Sequence, residues 1–428
     1  MAYEGFVNLD YAPTEKDLCV LFYIQPPEGK SVEWSAVRVA GESSVGTWVD
    51  VSTSVPRICE TLSPRIYSID EERKLVGVAY PIDLFELDNI PEVMSSIAGN
   101  VFGMKDVESL RLLDFTLPEE MIKKFSGPKY GITGVRKILR VKDRPLVGTI
   151  VKPKLGLNTK EHSTAAYNAW VGGCDIVKDD ENLSSQKFNP FEKRVQATLR
   201  MLEKTEDETG EKKAYMPNVT AETDEMISRA EYVKENGGTY IMVDVLTVGF
   251  SALQTIRKKD FSLVIHAHRA MHAALTRSKT HGISMLALAK LYRLIGVDQL
   301  HIGTAVGKME GPKQEVKSIR DEITLSGVPE DEGRFVQEWL KIKPTFPVCS
   351  GGLHPGHVPG ILSFLGEDVI IQAGGGIHGH PEGTVAGAKA MRQAVEAALV
   401  GKPLGEYALK HKELALALEK FSSKKFSD

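Results

Sequence analysis

The run Lys178-Asp179-Asp180-Glu181 sets one lysine among three acids at the end of a short apolar segment, GGCDIVKDDEN, Gly172 to Asn182. Side chains alternate along an extended strand. Lys178 and Asp180 therefore face one way and Asp179 the other, with Glu181 turning in where the strand ends. Two inward carboxylates at that spacing suit a hard divalent cation held by oxygen, above all Mg2+. The lysine has two readings: a salt-bridge partner on a wet strand end, or an amine that reacts with CO2 to become a carbamate, an anionic oxygen ligand. As an ammonium it has no lone pair and cannot ligate. Only about one lysine in 250 is neutral at pH 8 for an ordinary pKa near 10.4, and the neighbouring acids are expected to raise that pKa further. Capture by a metal must then pull the equilibrium toward the carbamate.

Other stretches carry compatible chemistry. In VKPKLGL, Lys152 and Lys154 share a face; they are either solvated lysines flanking a proline or, buried near a metal, groups of lowered pKa suited to proton transfer. HAHRAMH puts His266 and His268 on one face with Arg269 following, as metal ligands or as hydrogen-bonded core residues. Amidohydrolases also join His-x-His to a carbamylated lysine, but with the histidines on the first strand. Here the lysine comes first, which argues against that class. SGGLHPG, with Ser350, Gly351 and Gly352, and QAGGG, with Gln372, Gly374 and Gly375, let backbone N–H groups approach an anion. Arg269 and His301 are placed to hold a second phosphate. Two anion sites flanking a metal imply a bisphosphorylated substrate. HIGTAVGKMEG holds Lys308 between Gly307 and Gly311, the pattern of a lid that delivers a cation or of an ordinary surface loop.

These residues sit at the ends of regularly spaced elements. Eight apolar runs recur after residue 145: VGTIVKP, DIVKDDE, AYMPNV, YIMVDV, LVIHAHR, LHIGTA, PVCSGG and VIIQAGGG. Helical patterns lie between them, such as Val195, Leu199 and Leu202, and a helix around Met226 to Val233 stopped by Gly237 and Gly238. Eight strand–helix units predict a (β/α)8 barrel over residues 146–428, with a doubly wound sheet as the alternative. Nearly every run ends in polar or glycine-rich residues, and the C-terminal strand ends of a barrel open on one face. Residues 1–127 read as a smaller α+β domain of ferredoxin-like type, and residues 128–145, rich in Gly, Pro and basic residues, as a linker.

The bulk composition narrows the function classes. With 42% hydrophobic and 26% charged residues and a formal charge of -4 over 428 residues, the chain has no electrostatic footprint for nucleic acid or an anionic membrane. Its four cysteines lack metal-ligand spacing and point to a reducing compartment. No apolar run approaches the roughly 18 residues of a membrane span, so the expected location is cytoplasmic.

Read together, GESSVGTW, GNVFGMK, GTIVKPKLGL, GGCDIVKDDEN, HAHRAMHA, HIGTAVGKMEG, VCSGGLHPGH and QAGGGIHGHP resemble the large chain of ribulose-1,5-bisphosphate carboxylase/oxygenase, RuBisCO, along nearly the whole chain. The resemblance implies that Lys178, as a carbamate formed with an activating CO2, binds Mg2+ with Asp180 and Glu181. It makes Lys152 the main acid–base lysine, supported by Lys154, and His268 a second proton-handling group. Arg269 and His301 would hold one phosphate of ribulose 1,5-bisphosphate, and Ser350, Gly351, Gly352, Gln372, Gly374 and Gly375 would line the rest. Lys308 would close over the site and stabilise the new carboxylate. Glu42, Thr47, Trp48 and Asn100 match residues that one subunit contributes to its neighbour's barrel, implying a homodimer with shared active sites or higher oligomers of such dimers. The implied reaction is attack of an enediolate on CO2 to give two 3-phosphoglycerates, with O2 competing. The wording GTIVKPK and the short C-terminal tail are closest to archaeal Form III chains, implying a role in recycling nucleotide-derived ribose. A RuBisCO-like isomerase without CO2 fixation is the rival, as is a noncatalytic sugar-phosphate binder; intact Lys308, Glu42 and Asn100 speak against the former, and Lys152, Lys178, Asp180 and Glu181 against the latter.

Overall fold

The computed structural model describes residues 5–46, 51–53, 55–304, 306, 313–331 and 333–422. The chain divides into two compact units: Met1–Gly127 with Met271–Leu294 and Leu325–Ile342, and Pro128–Ala270 with Ile295–Thr324 and Lys343–Asp428.

The first unit is built on strands Asp17–Gln25, Arg65–Asp70, Leu75–Pro81 and Ser109–Phe115, antiparallel where they pair. Helices Val32–Glu42 and Ile90–Ile97 belong to the same unit. Leu18, Val20, Phe22 and Ile24 alternate along the first strand and are fully buried. The expected boundary at residue 127 misses part of this unit. Gly282–Ile283 adds a short parallel strand beside Ser109–Phe115, and Lys290 pairs with buried Asp114 at 2.7 Å. Those contacts, made by residues more than 150 positions apart, have no local signature.

In the second unit the eight apolar runs become eight parallel strands: β1 (Leu146–Ile150), β2 (Ile176–Lys178), β3 (Ala214–Met216), β4 (Tyr240–Asp244), β5 (Val264–His268), β6 (Gln299–His301), β7 (Phe346–Ser350) and β8 (Ile370–Gln372). Each pairs with its sequence neighbours, and β8 returns to β1. The ring closes between β3 and β4, where Met242 donates to Pro217 and accepts from Val219. This is the predicted (β/α)8 barrel. Its helices start and stop on local signals. Thr159–Val171 opens on a capping box made by Asn158 and Glu161, and Thr223–Glu235 ends just before Gly237. Among the described residues no helix is long and apolar enough to cross a membrane.

Residues 128–145 are more than a linker. They contain helix Gly131–Leu139, whose Ile132, Val135 and Leu139 pack with Leu146, Tyr240, Val264, Phe346 and Ile370. The last five are the first residues of their strands, so the helix closes the end of the barrel opposite the strand C-termini. Asp298 holds it there. Its buried carboxylate accepts from the Tyr130 and Gly131 N–H groups, from Ile265 N–H and from the Arg257 guanidinium, at 2.6–3.1 Å. Asp298→Ala leaves a buried cation and three amides without their acceptor. We expect it to lower stability by about 3–5 kcal/mol, read as a shift of the urea unfolding midpoint.

Candidate active site

Lys178 is the last residue of β2 and is 1% exposed. Its Nζ donates to the Asp179 carbonyl at 2.8 Å and lies 3.3 Å from Met242 Sδ and 3.7 Å from Glu181 Oε2. Burial pushes the ammonium's pKa down, against the pull of Glu181, Asp180 and Asp244. This reverses the direction expected from the neighbouring acids: desolvation of a fully enclosed amine outweighs their charge.

Asp180, also 1% exposed, accepts from Lys152 Nζ at 2.9 Å, and Glu181 accepts from Lys154 Nζ at 2.9 Å. Burial alone would raise the Glu181 carboxyl, but the Lys178 and His268 charges and the Lys154 hydrogen bond outweigh it and bring it down to about 2. The Glu181 hydrogen bond raises Lys154 in turn. Asp244, at the end of β4, lies 3.0 Å from His268 Nδ1, while His268 Nε2 is 3.7 Å from Glu181 Oε2. Nδ1 is met both by the Asp244 carboxylate at 3.0 Å and by the Ala270 N–H at 3.2 Å; the shorter contact, with an acceptor-only carboxylate, favours the proton on Nδ1 and leaves Nε2 facing Glu181. Lys152, Lys154 and Lys178 thus stand against Asp180, Glu181 and Asp244, a balanced set of charges. Asp180 and Glu181 offer oxygens of the kind a hard divalent cation takes, and they pair here with Lys152 and Lys154.

Across the mouth, His266 Nε2 meets His301 Nε2 at 2.9 Å, His301 Nδ1 meets Ser350 Oγ at 2.8 Å, and His266 Nδ1 meets Gln299 Oε1 at 2.9 Å. Burial pulls both imidazoles well below the ordinary histidine range. His301 is therefore a neutral hydrogen-bonding group with both nitrogens already engaged, and a phosphate takes it only by displacing one partner. Arg269 lies against Gly303, where a Cβ would come within 2.8 Å of its Nη2. Gly374 makes room for Lys152 in the same way, a Cβ there meeting Cε at 3.0 Å. Gly351 and Gly352 both have positive φ, at 120° and 69°, which only glycine adopts freely. Gln372 is 1% exposed, and among the described residues neither of its amide atoms has a partner. Such an orphaned amide costs about 1–3 kcal/mol unless a ligand completes it. Gly375 begins the short helix that follows.

In the first unit, Asn100 Nδ2 donates to Glu42 Oε1 at 3.2 Å, so those two candidates do meet. Thr47, Trp48 and Lys308 lie outside the described residues. Sequence reasoning missed Asp244, although a polar residue closing the YIMVDV run at a strand C-terminus was a usable signal. It also missed Gln299, which had none.

A parallel eight-stranded barrel with lysines, carboxylates and a histidine–aspartate pair at its strand C-termini defines an enzyme of the (β/α)8 class, with proton-handling groups gathered on one face. Residues 131–421 match the family model for the ribulose bisphosphate carboxylase large chain, catalytic domain, and residues 5–121 match the model for its N-terminal domain. The chain therefore belongs to the ribulose bisphosphate carboxylase large-chain family, and it is an enzyme of the carbon–carbon lyase type. It is 56% identical over 423 residues to the ribulose bisphosphate carboxylase of Methanocaldococcus jannaschii, covering 97% of this chain and 99% of that one. The Pyrococcus furiosus ribulose bisphosphate carboxylase is 47% identical, with 98% and 97% covered. Among solved structures, the octameric Rubisco of Pyrococcus horikoshii, in complex with sulfate ion, superposes with a TM-score of 0.93 at 45% identity, over 99% of this chain and 98% of that one. The dimeric archaeal Rubisco of Hyperthermus butylicus does so at 0.92 and 45%, over 98% and 99%.

Proposed function

We propose that this chain carboxylates ribulose 1,5-bisphosphate with CO2 and water to two molecules of 3-phosphoglycerate, with O2 as a competing substrate. The site depends on Mg2+ and on a carbamate at Lys178. The observation that carries this reading is the enclosed amine of Lys178 in a charge-balanced cluster. Its lowered pKa favours the neutral amine, whose lone pair adds to the carbon of CO2 while an N–H proton leaves. Counting the proton the ammonium sheds to become that amine, two protons leave in all, and the lysine passes from one positive to one negative charge. The cluster is left with two excess negative charges, which suits a divalent cation held by the carbamate, Asp180 and Glu181. Such a cation, when bound, supplies Lewis-acid polarisation of a sugar ketone.

The chain's own residues carry the remaining work. Lys152, whose Nζ is 2.9 Å from Asp180 Oδ2 and whose side chain is 28% exposed, would serve as the amine for proton transfer beside the substrate. His268, with Nδ1 held by Asp244, offers Nε2 as a second base. Arg269 and His301, the latter giving up one of its present hydrogen bonds, take one phosphate. The glycines at 351, 352, 374 and 375 admit the other, and the unpaired Gln372 amide accepts substrate hydrogen bonds. Glu42 and Asn100, held together, fit the role of a contribution to a neighbouring subunit's barrel, and the dimeric and octameric relatives support a homodimer or an oligomer of dimers. The likeness of this chain's motifs to archaeal Form III chains is the ground for proposing service in nucleotide ribose recycling.

The direct test supplies ribulose 1,5-bisphosphate with labelled CO2. Label in 3-phosphoglycerate supports the reading, whereas substrate isomerised without incorporation favours the enolase alternative. Preincubation with bicarbonate and Mg2+ together is expected to raise the initial rate by about tenfold or more over either alone, since an incomplete ligand set weakens cation binding. Initial rates indifferent to that order of addition count against the carbamate.

A further inference from the structure

The Lys178–Glu181 run has one member that faces away from the mouth. Asp179 is fully buried, and its carboxylate gathers three hydrogen-bond donors and a close histidine from the barrel wall. Oδ1 accepts from the Tyr215 hydroxyl at 2.7 Å and lies 3.1 Å from His162 Nε2. Oδ2 accepts from Arg194 Nε and from Asn218 N–H, both at 3.0 Å.

These partners lie on helix Thr159–Val171, helix Phe191–Thr209, β3 and the second residue past β3. Two of them reach back to the loop that carries the acids. Arg194 also donates to the Ser184 and Asn189 carbonyls, and Asn218 Nδ2 donates to the Glu181 carbonyl at 3.1 Å. The Asp179 main chain is fixed as well, its N–H donating to Met216 and its carbonyl accepting from Lys178 Nζ. A single anchored carboxylate therefore ties both sides of the turn on which Lys178, Asp180 and Glu181 sit.

We infer that Asp179 is a positioning residue, its clamp on Arg194, Tyr215, His162 and Asn218 setting the geometry in which Lys178, Asp180 and Glu181 together take up CO2 and a divalent cation. The inference rests on the function proposed above and adds the determinant of the site's affinity. The clamp needs an acceptor at both oxygens. An asparagine amide keeps the shape but turns N–H groups toward at least one donor pair, so the turn must shift to relieve them.

Asp179→Asn is expected to weaken Mg2+ binding in bicarbonate buffer by about 10–100-fold, the effect of losing an outer partner that orients ligands. Titration calorimetry reads the affinity, and the 13C carbamate resonance of protein equilibrated with 13C-bicarbonate should fall in parallel. Tyr215→Phe, which removes one donor and leaves the charges, is expected to give a smaller loss of the same kind. It decides the matter by the same two measurements if Asp179→Asn does not fold. A purely structural role predicts a lower urea midpoint with Mg2+ affinity and carbamate signal at the parent's values in the folded variants, and that result overturns the inference. A parent chain that itself shows neither carbamate nor bicarbonate-dependent Mg2+ binding overturns the proposed function along with it.

Discussion

Lys178→Ala and Lys178→Met are expected to lose carboxylation by about 10^3-fold or more, the scale at which a main electrostatic contributor to a transition state is removed. Both should also lose bicarbonate-dependent Mg2+ binding, because among the described residues no other nitrogen of the cluster is both enclosed and adjacent to Asp180 and Glu181. Methionine fills the volume that alanine leaves empty, so the two together separate chemistry from packing. The stability of the methionine variant adds a signed test, made without CO2 or metal. Burial holds the Lys178 pKa below that of the unfolded chain. Between those two values the unfolded state binds more protons, and stability rises with pH. What Lys178 contributes is therefore present above the unfolded pKa, about 10.4, and is lost as pH falls through the folded one. The parent's urea midpoint should drop relative to Lys178→Met over that window. Parallel midpoints, or a carboxylase rate within tenfold of the parent in either variant, would refute the assignment of Lys178.

Lys152→Met is expected to lower kcat by about 10^2–10^4-fold, the range for removal of a group that transfers protons in the transition state. Its effect on the cation should be opposite to that of the Lys178 variants. Lys152 Nζ sits 2.9 Å from Asp180 Oδ2, competing for an oxygen the cation needs, so its removal leaves Mg2+ affinity unchanged or tighter. Steady-state rates and calorimetry on one preparation check both halves. A variant that loses Mg2+ binding as well as turnover would show that Lys152 builds the site and does not act in the reaction.

The pairing of losses separates two lysines that both sit at strand ends in sequence. Their difference lies in enclosure. Lys178 is 1% exposed, whereas the Lys152 side chain is 28% exposed. Solvent access leaves Lys152 free to exchange partners, while Lys178 has only the cluster and whatever small molecule enters it.

Much of the site was readable from local pattern. Strand alternation alone placed Lys178 and Asp180 on one face with Asp179 opposite, because a two-residue period is a property of the extended backbone itself. The eight apolar runs, each ending in polar or glycine residues, marked both the barrel and the face where its chemistry lies. Glycine at 351 and 352 marked positive φ, again a local constraint. What required the folded chain was everything set by distant neighbours. The helix Gly131–Leu139 reads as a Gly- and Lys/Arg-rich connector until its apolar side is seen against the first residues of five strands. Asp179 reads as one more acid in a charge run until Arg194 and Tyr215 arrive from 15 and 36 residues away. The sign of the Lys178 shift was misjudged from sequence for the same reason. Nearby acids are visible along the chain, but desolvation depends on how many atoms from every strand crowd out water, and only tertiary packing decides that sum.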